Sequence, residues 1–400
     1  MNFRTLADVG VRGKRVIVRE DLNVPMKAGR IADDTRLTAA LETLRYLRDH
    51  GAKTIVMSHL GRPDGKVVPA MSLRPVAEEL HRRLGTTVAF ASDCIGKSAE
   101  EAVAAMENGD VVVLENLRFH AEEEENDPLF ARHLASLAEI YVDDAFGTAH
   151  RAHASTAGIA RDLPAYAGFL MQKELEALGR LTSNPRHPFV CAIGGAKVKD
   201  KVGVFVALLE RVDGFVVGGG MANTFLAARG VDVGTSLRDA DLEPAKHILA
   251  LADAKGVPIH LPTDAVVSTA FDADENATVV PIGAVDGRMI LDIGPETAQA
   301  YALVLRAAQT IVFNGPMGVY EKAAYQGGTR AIGAAIAEAT RAGATSVVGG
   351  GDAAAAAHAL GFADALTHVS TGGGATLEFL EGKTLPGVAA LERAALSAGA

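Results

Sequence analysis

The chain has 400 residues, 48% hydrophobic and 22% charged, which is enough apolar material for two folded domains and unlike a disordered protein. Its formal net charge of −10 disfavours nucleic acid and anionic lipid as partners, so a site for an anionic ligand has to be local. Two widely separated cysteines and the lack of an apolar run of about 18 residues predict a cytoplasmic protein with no disulfide framework and no membrane partner.

Short β-branched runs alternate with longer helical patterns along the chain. In chain order, the predicted strands are residues 15–19, 53–58, 87–91, 111–115, 140–143, 188–193, 214–217, 258–261, 310–313, 346–348 and 367–369. Patterns rich in alanine and leucine predict helices between many of them, at residues 37–49, 74–84, 329–341 and 352–360. Such alternation predicts parallel sheets covered by helices, and this number of strands is too large for one ordinary sheet. The predicted fold class is α/β, with two doubly wound, Rossmann-like parallel-sheet domains.

A further helical pattern at residues 170–180 lies between Pro164 and the loop that ends at Pro188. It predicts a hinge helix that joins the two domains. We therefore expect an N-terminal domain at residues 1–169 and a C-terminal domain at residues 170–384, which begins with this helix.

Basic side chains follow the strands of the first half. Ligands of open parallel sheets bind beyond the carboxyl ends of the strands. The segments expected there are residues 19–23, 58–62, 116–118 and 143–153, and Arg36 follows soon after the first of them. Because forked guanidinium donors suit phosphate and carboxylate groups, these segments predict a site for a small anionic substrate.

Glycines follow the strands of the second half, at residues 194–197, 218–220, 314–316, 349–352 and 371–374. Glycine lets backbone N–H groups approach a phosphate closely, and a following helix N-terminus adds a favourable dipole. Asp352 supplies a hard oxygen ligand for Mg²⁺. The second half therefore predicts a nucleotide site, and the two halves together predict phosphoryl transfer with closure of the domains.

Two short motifs suggest other nucleotide-binding folds. Residues 96–98 (GKS) match the end of a Walker A loop, but Ala91 stands where that loop needs glycine, so we interpret Ser98 and Glu101 as a helix capping box. The loop at Gly349 matches a relaxed dinucleotide pattern without a clear acidic partner for the ribose, which leaves an NAD-dependent dehydrogenase as an alternative. A binding module without turnover is the second alternative.

Other charged residues have a structural and a functional interpretation. We interpret the acidic run at residues 122–125 as a solvated helix start or loop. His150 and His153 lack a thiol or carboxylate at ligand spacing, which disfavours a zinc site. Lys197 and Lys201 follow two glycines and share a face if Lys197 opens a helix, which favours a phosphate clamp over a solvated pair.

Nine segments, taken in order, closely resemble phosphoglycerate kinases, and together they extend over essentially the whole chain. They are REDLNVP (19–25), SHLGRP (58–63), LENLRF (114–119), DAFGTAHRAH (144–153), GGAKVKDK (194–201), GGGMANTFL (218–226), NGPMGVYE (314–321), GGGD (349–352) and TGGGA (371–375). The chain departs from the family pattern at Glu20 and Leu22, at Phe313 in place of tryptophan, and at Ala353 in place of a hydroxyl residue.

The resemblance implies a reversible, Mg²⁺-dependent transfer of a phosphoryl group from 1,3-bisphosphoglycerate to ADP, which gives 3-phosphoglycerate and ATP in glycolysis and gluconeogenesis. It implies a monomer in which residues 385–400 return to the N-terminal domain. The acceptor in the reverse direction is a carboxylate, which is ionised at pH 7, so the reaction needs no general base.

The resemblance also implies roles for individual residues. Those implied to hold the phosphoglycerate substrate are Asp21, Asn23, Arg36, His59, Arg62, Arg118 and Arg151. Those implied to bind the nucleotide are Gly195, Lys197, Lys201, Gly218, Gly219, Gly220, Asn314, Glu321, Gly350, Gly351, Asp352 and Ala353, with Asp352 as the Mg²⁺ ligand. The residues implied to act on the transferring phosphoryl group are Arg36, Lys197, Gly351 and Gly374.

Overall fold

The computed structural model describes residues 2–398. Met1, Gly399 and Ala400 lie outside the described residues, although the N-terminal domain predicted from residues 1–169 and 385–400 includes them. The chain forms two compact units. The first comprises Met1–Glu176 with Thr384–Ala400, and the second comprises Ala177–Lys383.

The first unit contains a six-stranded parallel sheet and a small hairpin. Its strands are β1 (Arg15–Arg19), β2 (Met26–Lys27), β3 (Arg30–Ile31), β4 (Lys53–Met57), β5 (Val88–Ala91), β6 (Val111–Leu114), β7 (Ile140–Asp143) and β8 (Ala165–Ala167). The sheet order is β5-β6-β4-β1-β7-β8, and β2 pairs with β3 in the hairpin. Since the chain moves from β1 to one side of the sheet and later to the other, the order reverses beside β1, where a ligand crevice is expected.

Helices cover this sheet. They are α1 (Thr35–Asp49), α2 (Arg74–Leu84), α3 (Gly96–Ala104), α4 (Ala121–Glu124) and α5 (Pro128–Ser136). The strands β6 and β7 are buried along their whole length, as expected of β-branched runs packed between helices. Leu44, Val56 and Leu80 belong to the main apolar core, and none of them is exposed.

The second unit repeats this architecture. Helix α6 (Phe169–Ser183) contains the boundary, and the strands that follow are β9 (Phe189–Ile193), β10 (Gly214–Val217), β11 (Ile259–His260), β12 (Asp264–Ser268), β13 (Thr278–Pro281), β14 (Met289–Ile293), β15 (Thr310–Asn314), β16 (Thr345–Val348) and β17 (His368–Val369). The parallel sheet has the order β11-β10-β9-β15-β16-β17, which reverses between β9 and β15. Strands β12, β13 and β14 form a separate antiparallel sheet in the order β13-β12-β14.

The remaining helices are α7 (Val202–Leu208), α8 (Gly219–Ala228), α9 (Glu243–Lys255), α10 (Pro295–Ala307), α11 (Gly327–Arg341), α12 (Gly351–Ala359), α13 (Gly374–Leu380) and α14 (Pro386–Ala398). Helix α14 lies in the first unit, where it contacts β8. Phe313, Ile336 and Val348 belong to the main core of the second unit. The two six-stranded parallel sheets with helices between their strands confirm the predicted α/β fold class.

Candidate active site

A cavity of about 230 Å³ lies at the carboxyl ends of β1, β4, β6 and β7 in the first unit. All seven residues predicted to hold the anionic substrate line it. The lining residues are Asp21, Asn23, Arg36, His59, Gly61, Arg62, Arg118, Gly147, Thr148, His150 and Arg151. Four guanidinium groups around one small cavity form a local basic site in a chain with an excess of acids, so the cavity suits a compact polyanion.

Arg36, in the first turn of α1, is held on the cavity wall by the segment that follows β1. Its Nη1 donates hydrogen bonds to Oδ1 of Asp21 at 3.0 Å and to the backbone oxygen of Asn23 at 3.1 Å. The Oδ1 of Asn23 in turn accepts a hydrogen bond from the N–H of Gly61 at 2.9 Å. These contacts connect the loops after β1 and β4 and orient the guanidinium group before any ligand arrives.

Arg118 and Arg151 share one acidic neighbour. Arg118 is 4% exposed, and its Nε lies 3.2 Å from Oε1 of Glu124, while its Nη1 donates to the backbone oxygen of Gly61 at 2.9 Å. Arg151 Nη1 lies 3.9 Å from the same carboxylate oxygen. Arg62, by contrast, is exposed. Glu124 therefore reduces the repulsion between two cationic groups that a bound anion would further compensate.

A network of buried, hydrogen-bonded polar side chains holds His59 in position. Arg19 is fully buried, and its Nη2 lies 3.0 Å from Nδ1 of His59, while its Nε donates to Oγ of Ser155 at 2.9 Å. Ser155 donates through Oγ and N to the carboxylate of Glu123, at 2.5 and 2.9 Å. Because arginine can only donate, Nδ1 of His59 accepts, and the ring hydrogen lies on Nε2. Burial and the nearby arginines hold the pKa of His59 well below its usual value, so the ring is a neutral donor.

The acidic run at residues 122–125 is thus not simply solvated. Glu123 is fully buried in α4 and bonded to Ser155, and Glu124 contacts Arg118 and Arg151. Burial raises the pKa of Glu123, although its hydrogen bonds and Arg19 oppose that shift. The interpretation as a solvated segment was wrong for Glu123, because its partners come from distant parts of the sequence.

Three further buried acids lie at the carboxyl ends of β1 and β7. Burial raises the pKa of Asp143 to about 6 and that of Asp144 to about 7. Burial also raises the pKa of Glu20 well above its usual value, and no hydrogen-bond partner for its carboxyl oxygens occurs among residues 2–398. Glu20 thus places a buried carboxyl group where the family pattern has an apolar spacer.

A second cavity, of about 520 Å³, lies in the second unit along the glycine-rich segments. The predicted nucleotide residues that line it are Gly195, Gly219, Gly220, Glu321 and Asp352. A Cβ on Gly219 would lie 2.8 Å from the backbone oxygen of Gly195, and one on Gly220 would lie 2.5 Å from that of Ala196. Glycine at both positions therefore allows the loop after β9 to pack against the start of α8 while the cavity remains open.

Lys201 lies where the strand order of the second sheet reverses. Its Nζ donates to the backbone oxygen of Gly194 at 2.8 Å and to that of Asn314 at 2.7 Å, so it connects the ends of β9 and β15. Burial lowers its pKa to about 8, and Asp352 is among the groups that favour its charged form. The lysine is therefore a half-buried cation at the point where the fold favours a phosphate.

Asn314 and the segment 349–353 continue this edge of the sheet. Asn314 donates through Nδ2 to the backbone oxygen of Gly349 at 2.7 Å, and Gly350 has φ of 97°, a conformation that favours glycine. Helix α12 begins at Gly351 with the exposed Asp352 in its first turn. The side chain of Ala353 lies in the apolar core, so only its backbone is available to a ligand.

Three other predicted residues lie elsewhere in the second unit. Lys197 is exposed and precedes the helical turn Lys199–Lys201, so it does not open the helix that the shared-face argument assumed. A Cβ on Gly218 would lie 2.7 Å from Cα of Met317, which makes Gly218 a packing position and not part of the cavity lining. Gly374 is the first residue of α13.

The apolar wall of the second cavity was not predicted from the sequence. Phe271, Met289 and Ile290 line it, and the last two lie on β14 of the antiparallel sheet, which was not predicted. Lys322 also lines it, with Nζ 4.5 Å from the centre of the Phe271 ring and 2.9 Å from Oδ1 of Asp272. An apolar wall beside a glycine-rich edge suits a nucleoside with its phosphates.

The capping box predicted at residues 96–101 is wrong. Helix α3 begins at Gly96, so Ser98 lies inside the helix and its Oγ accepts a hydrogen bond from the N–H of Ser92 at 3.0 Å. Among the residues that the structure describes, no helix is both long and apolar enough to cross a bilayer.

The chain is similar to known proteins over nearly its whole length. The family model for phosphoglycerate kinase matches residues 6–383. The phosphoglycerate kinase of Moorella thermoacetica is 56% identical over 389 residues, which are 97% of this chain and 98% of that protein. That of Pelotomaculum thermopropionicum is 52% identical over 393 residues, 98% of this chain and 99% of that protein.

Solved structures show the same similarity. The phosphoglycerate kinase from Coxiella burnetii matches with a TM-score of 0.89 and 42% identity, over 98% of this chain and 99% of that one. The phosphoglycerate kinase from Pyrococcus horikoshii matches with a TM-score of 0.84 and 35% identity, over the same shares of the two chains.

Proposed function

The chain belongs to the phosphoglycerate kinase family, and we propose that it catalyses the reversible transfer of a phosphoryl group from 1,3-bisphosphoglycerate to ADP, which yields 3-phosphoglycerate and ATP. The observation that carries this proposal is the convergence of all seven predicted substrate residues on one cavity of the first unit. The family match leaves the dehydrogenase alternative at the Gly349 loop without support.

The basic cavity binds the phosphoglycerate substrate. Arg62, Arg118 and Arg151 compensate its charges, and the neutral His59 donates a hydrogen bond from Nε2 to one of its oxygens. Arg36, already oriented by Asp21, contacts the carboxyl end of the substrate and the phosphoryl group in transfer. Such charge-assisted hydrogen bonds are about twice as strong as neutral ones, which suits a substrate with few apolar groups.

The glycine-rich edge of the second sheet binds the nucleotide. Lys201 and the backbone of residues 349–353 contact its phosphates, Glu321 binds the ribose hydroxyls, and the apolar wall packs against the base. Lys197 and the helix starts at Gly351 and Gly374 stabilise the phosphoryl group in transfer.

Asp352 fits the role of a Mg²⁺ ligand. Its carboxylate is exposed at the cavity, and Mg²⁺ commonly binds through one carboxylate together with nucleotide phosphates. When bound, the ion neutralises phosphate charge. Asp352 also lies in the first turn of α12, where the helix dipole favours its ionised form.

Catalysis depends on position and charge. The acceptor carboxylate is ionised without a base, so the protein has to align the two oxygens in line with phosphorus and surround the transferring group with cations. We propose that the domains close to bring the two ligands together and exclude water, and that helix α6 acts as the hinge. We further propose that the protein is a cytoplasmic monomer that acts in glycolysis and gluconeogenesis.

A coupled assay tests the reaction. The purified protein is incubated with 3-phosphoglycerate and Mg-ATP, the product is reduced by glyceraldehyde-3-phosphate dehydrogenase, and NADH oxidation is followed. We expect turnover on the order of 10² s⁻¹ that stops when either substrate or Mg²⁺ is omitted. Folded, nucleotide-binding protein without turnover would instead support the binding-module alternative.

A further inference from the structure

Three side chains with different donor atoms meet on the first unit outside the basic cavity. Asp93 and Cys94 follow β5, and His120 precedes α4. His120 Nε2 lies 2.7 Å from Oδ1 of Asp93, and one ligand atom from each of the three residues lies within 4.8 Å of the others. The group combines a carboxylate, a thiol and an imidazole, and the proposed kinase reaction does not use it.

We propose that Asp93, Cys94 and His120 bind a divalent ion of the Zn²⁺ type, with a water molecule as the fourth ligand. Zn²⁺ accepts sulfur, nitrogen and oxygen ligands together, whereas Mg²⁺ prefers oxygen ligands alone. The site is therefore distinct in chemistry from the nucleotide-bound metal at Asp352.

The exposure of the three side chains provides an entry path. The side chain of Asp93 is 46% exposed and that of His120 is 26% exposed, while Cys94 is fully buried beneath them. An ion arriving from solvent meets the carboxylate and the imidazole first and the sulfur last. Because two of the three side chains are partly exposed, water can reach the site as a fourth ligand.

The surroundings of Cys94 favour a cation. Asp93, Glu115 and Glu123 place negative charge near the sulfur, which attracts a cation to this position. Binding displaces the thiol proton to solvent. In the metal-free protein Nε2 of His120 donates to Asp93, so metal binding also requires the ring hydrogen to be on Nδ1, which leaves the lone pair of Nε2 for the metal.

The required movement is small. Bonds of 2.0–2.3 Å in a tetrahedral site place the ligand atoms roughly 3.2–3.8 Å apart. Metal binding thus lengthens the 2.7 Å contact between Asp93 and His120 by roughly 0.6 Å, and the thiol, which lies within 4.8 Å of a ligand atom of each, moves inward by at most about 1.5 Å. Because His120 follows Arg118 closely in sequence, the ion would connect the segment after β5 to the one that carries this substrate arginine.

Cobalt provides a direct probe, because a thiolate bound to Co²⁺ gives a charge-transfer band in the near ultraviolet. The chain contains two cysteines, so such a band reports Cys94 or Cys191. The full-length protein, without a histidine tag, is freed of metal with a chelator and titrated with Co²⁺. Cys191→Ala is the matched control, since Cys191 is equally buried but lies in the second unit.

We expect one equivalent of Co²⁺ to produce the band in the original protein and in Cys191→Ala, and no band in Cys94→Ala. His120→Asn should weaken Co²⁺ binding at least tenfold. Zn²⁺ should raise the unfolding temperature of the original protein but not that of His120→Asn, a partly exposed position where the fold should persist. No band in the original protein, a band in Cys94→Ala, or equal Zn²⁺ stabilisation of His120→Asn would show that the three residues form only a hydrogen-bonded network.

Discussion

Arg19 Nη2 lies 3.0 Å from Nδ1 of His59, and this contact determines which ring nitrogen of the histidine carries hydrogen. Both residues are buried, and Arg19 also bonds to Ser155, so the ring cannot turn over without breaking a buried network. The cavity of the first unit therefore contains a neutral Nε2–H donor among its cations.

The substitutions His59→Gln and His59→Ala test this donor. The glutamine amide places an N–H near the position of Nε2, so we expect a rise in the KM for 3-phosphoglycerate of about tenfold or less. Alanine leaves a substrate oxygen unpaired, which costs about 1.5–3 kcal/mol and should raise the KM by roughly 10- to 100-fold. Because the pKa of His59 is held well below its usual value, neither effect should vary between pH 6.5 and 8. Equal KM values for the two variants would contradict the role of Nε2.

Arg36→Ala should lower kcat by about 10³-fold or more, as expected for an arginine that contacts a phosphoryl group in transfer. The control is Arg45→Ala, which removes an exposed arginine of the same helix that donates to the backbone oxygen of Arg83, away from the cavity. Steady-state kinetics should show the control within about twofold of the original protein. A loss of less than tenfold in Arg36→Ala would exclude a role in the transition state.

Lys201 should make nucleotide binding depend on pH. Its pKa is lowered to about 8, so the fraction that carries a positive charge falls as the pH rises above 8. We expect the KM for Mg-ATP to increase between pH 7.5 and 9.5 in the original protein. In Lys201→Gln the KM should be about tenfold higher at pH 7.5 and nearly independent of pH. The same pH dependence in both proteins would assign it to another group.

Asp144 should make stability fall as the pH rises. Its pKa is about 7 in the folded protein and 3.8 when unperturbed, so between these values the folded state binds the additional proton. The stability that this proton provides is complete below about pH 4 and is lost as the pH rises through 7. Between pH 5 and pH 8 the free energy of unfolding of the original protein should therefore fall by about 2 kcal/mol relative to that of Asp144→Asn, which has no carboxyl group at this position to titrate. Urea unfolding at the two pH values measures this change, and a constant difference would contradict the raised pKa.

The sequence predicts the two parallel sheets well because their strands are continuous β-branched runs buried on both faces, as in β6. It does not reveal β8, which is short and alanine-rich, or β13, which is largely exposed and ends at Pro281. The other two strands of the antiparallel sheet, β12 and β14, were missed as well, although they are mostly buried or half-buried.

The candidate site likewise contains residues that the sequence reveals and residues that it does not. The residues proposed to bind ligands mostly follow strands in recognisable motifs, as Arg118 and Asp352 do, so the sequence alone brings them to notice. The residues that support them are separated by long stretches of chain, as Glu123 is from Arg19, and only the folded chain brings them together. A run of acids therefore has the same sequence pattern whether it is solvated or buried.

We propose that the two ligands bind in two separate cavities, and a crystal structure with 3-phosphoglycerate and Mg-ADP bound tests this most directly. We expect the phosphoglycerate in the first unit, in contact with Arg36, His59 and Arg118. The nucleotide should lie in the second unit, with its phosphates near Lys201 and Mg²⁺ on Asp352. Phosphoglycerate bound outside the basic cavity, or nucleotide phosphates bound away from the glycine-rich edge, would contradict the assignment.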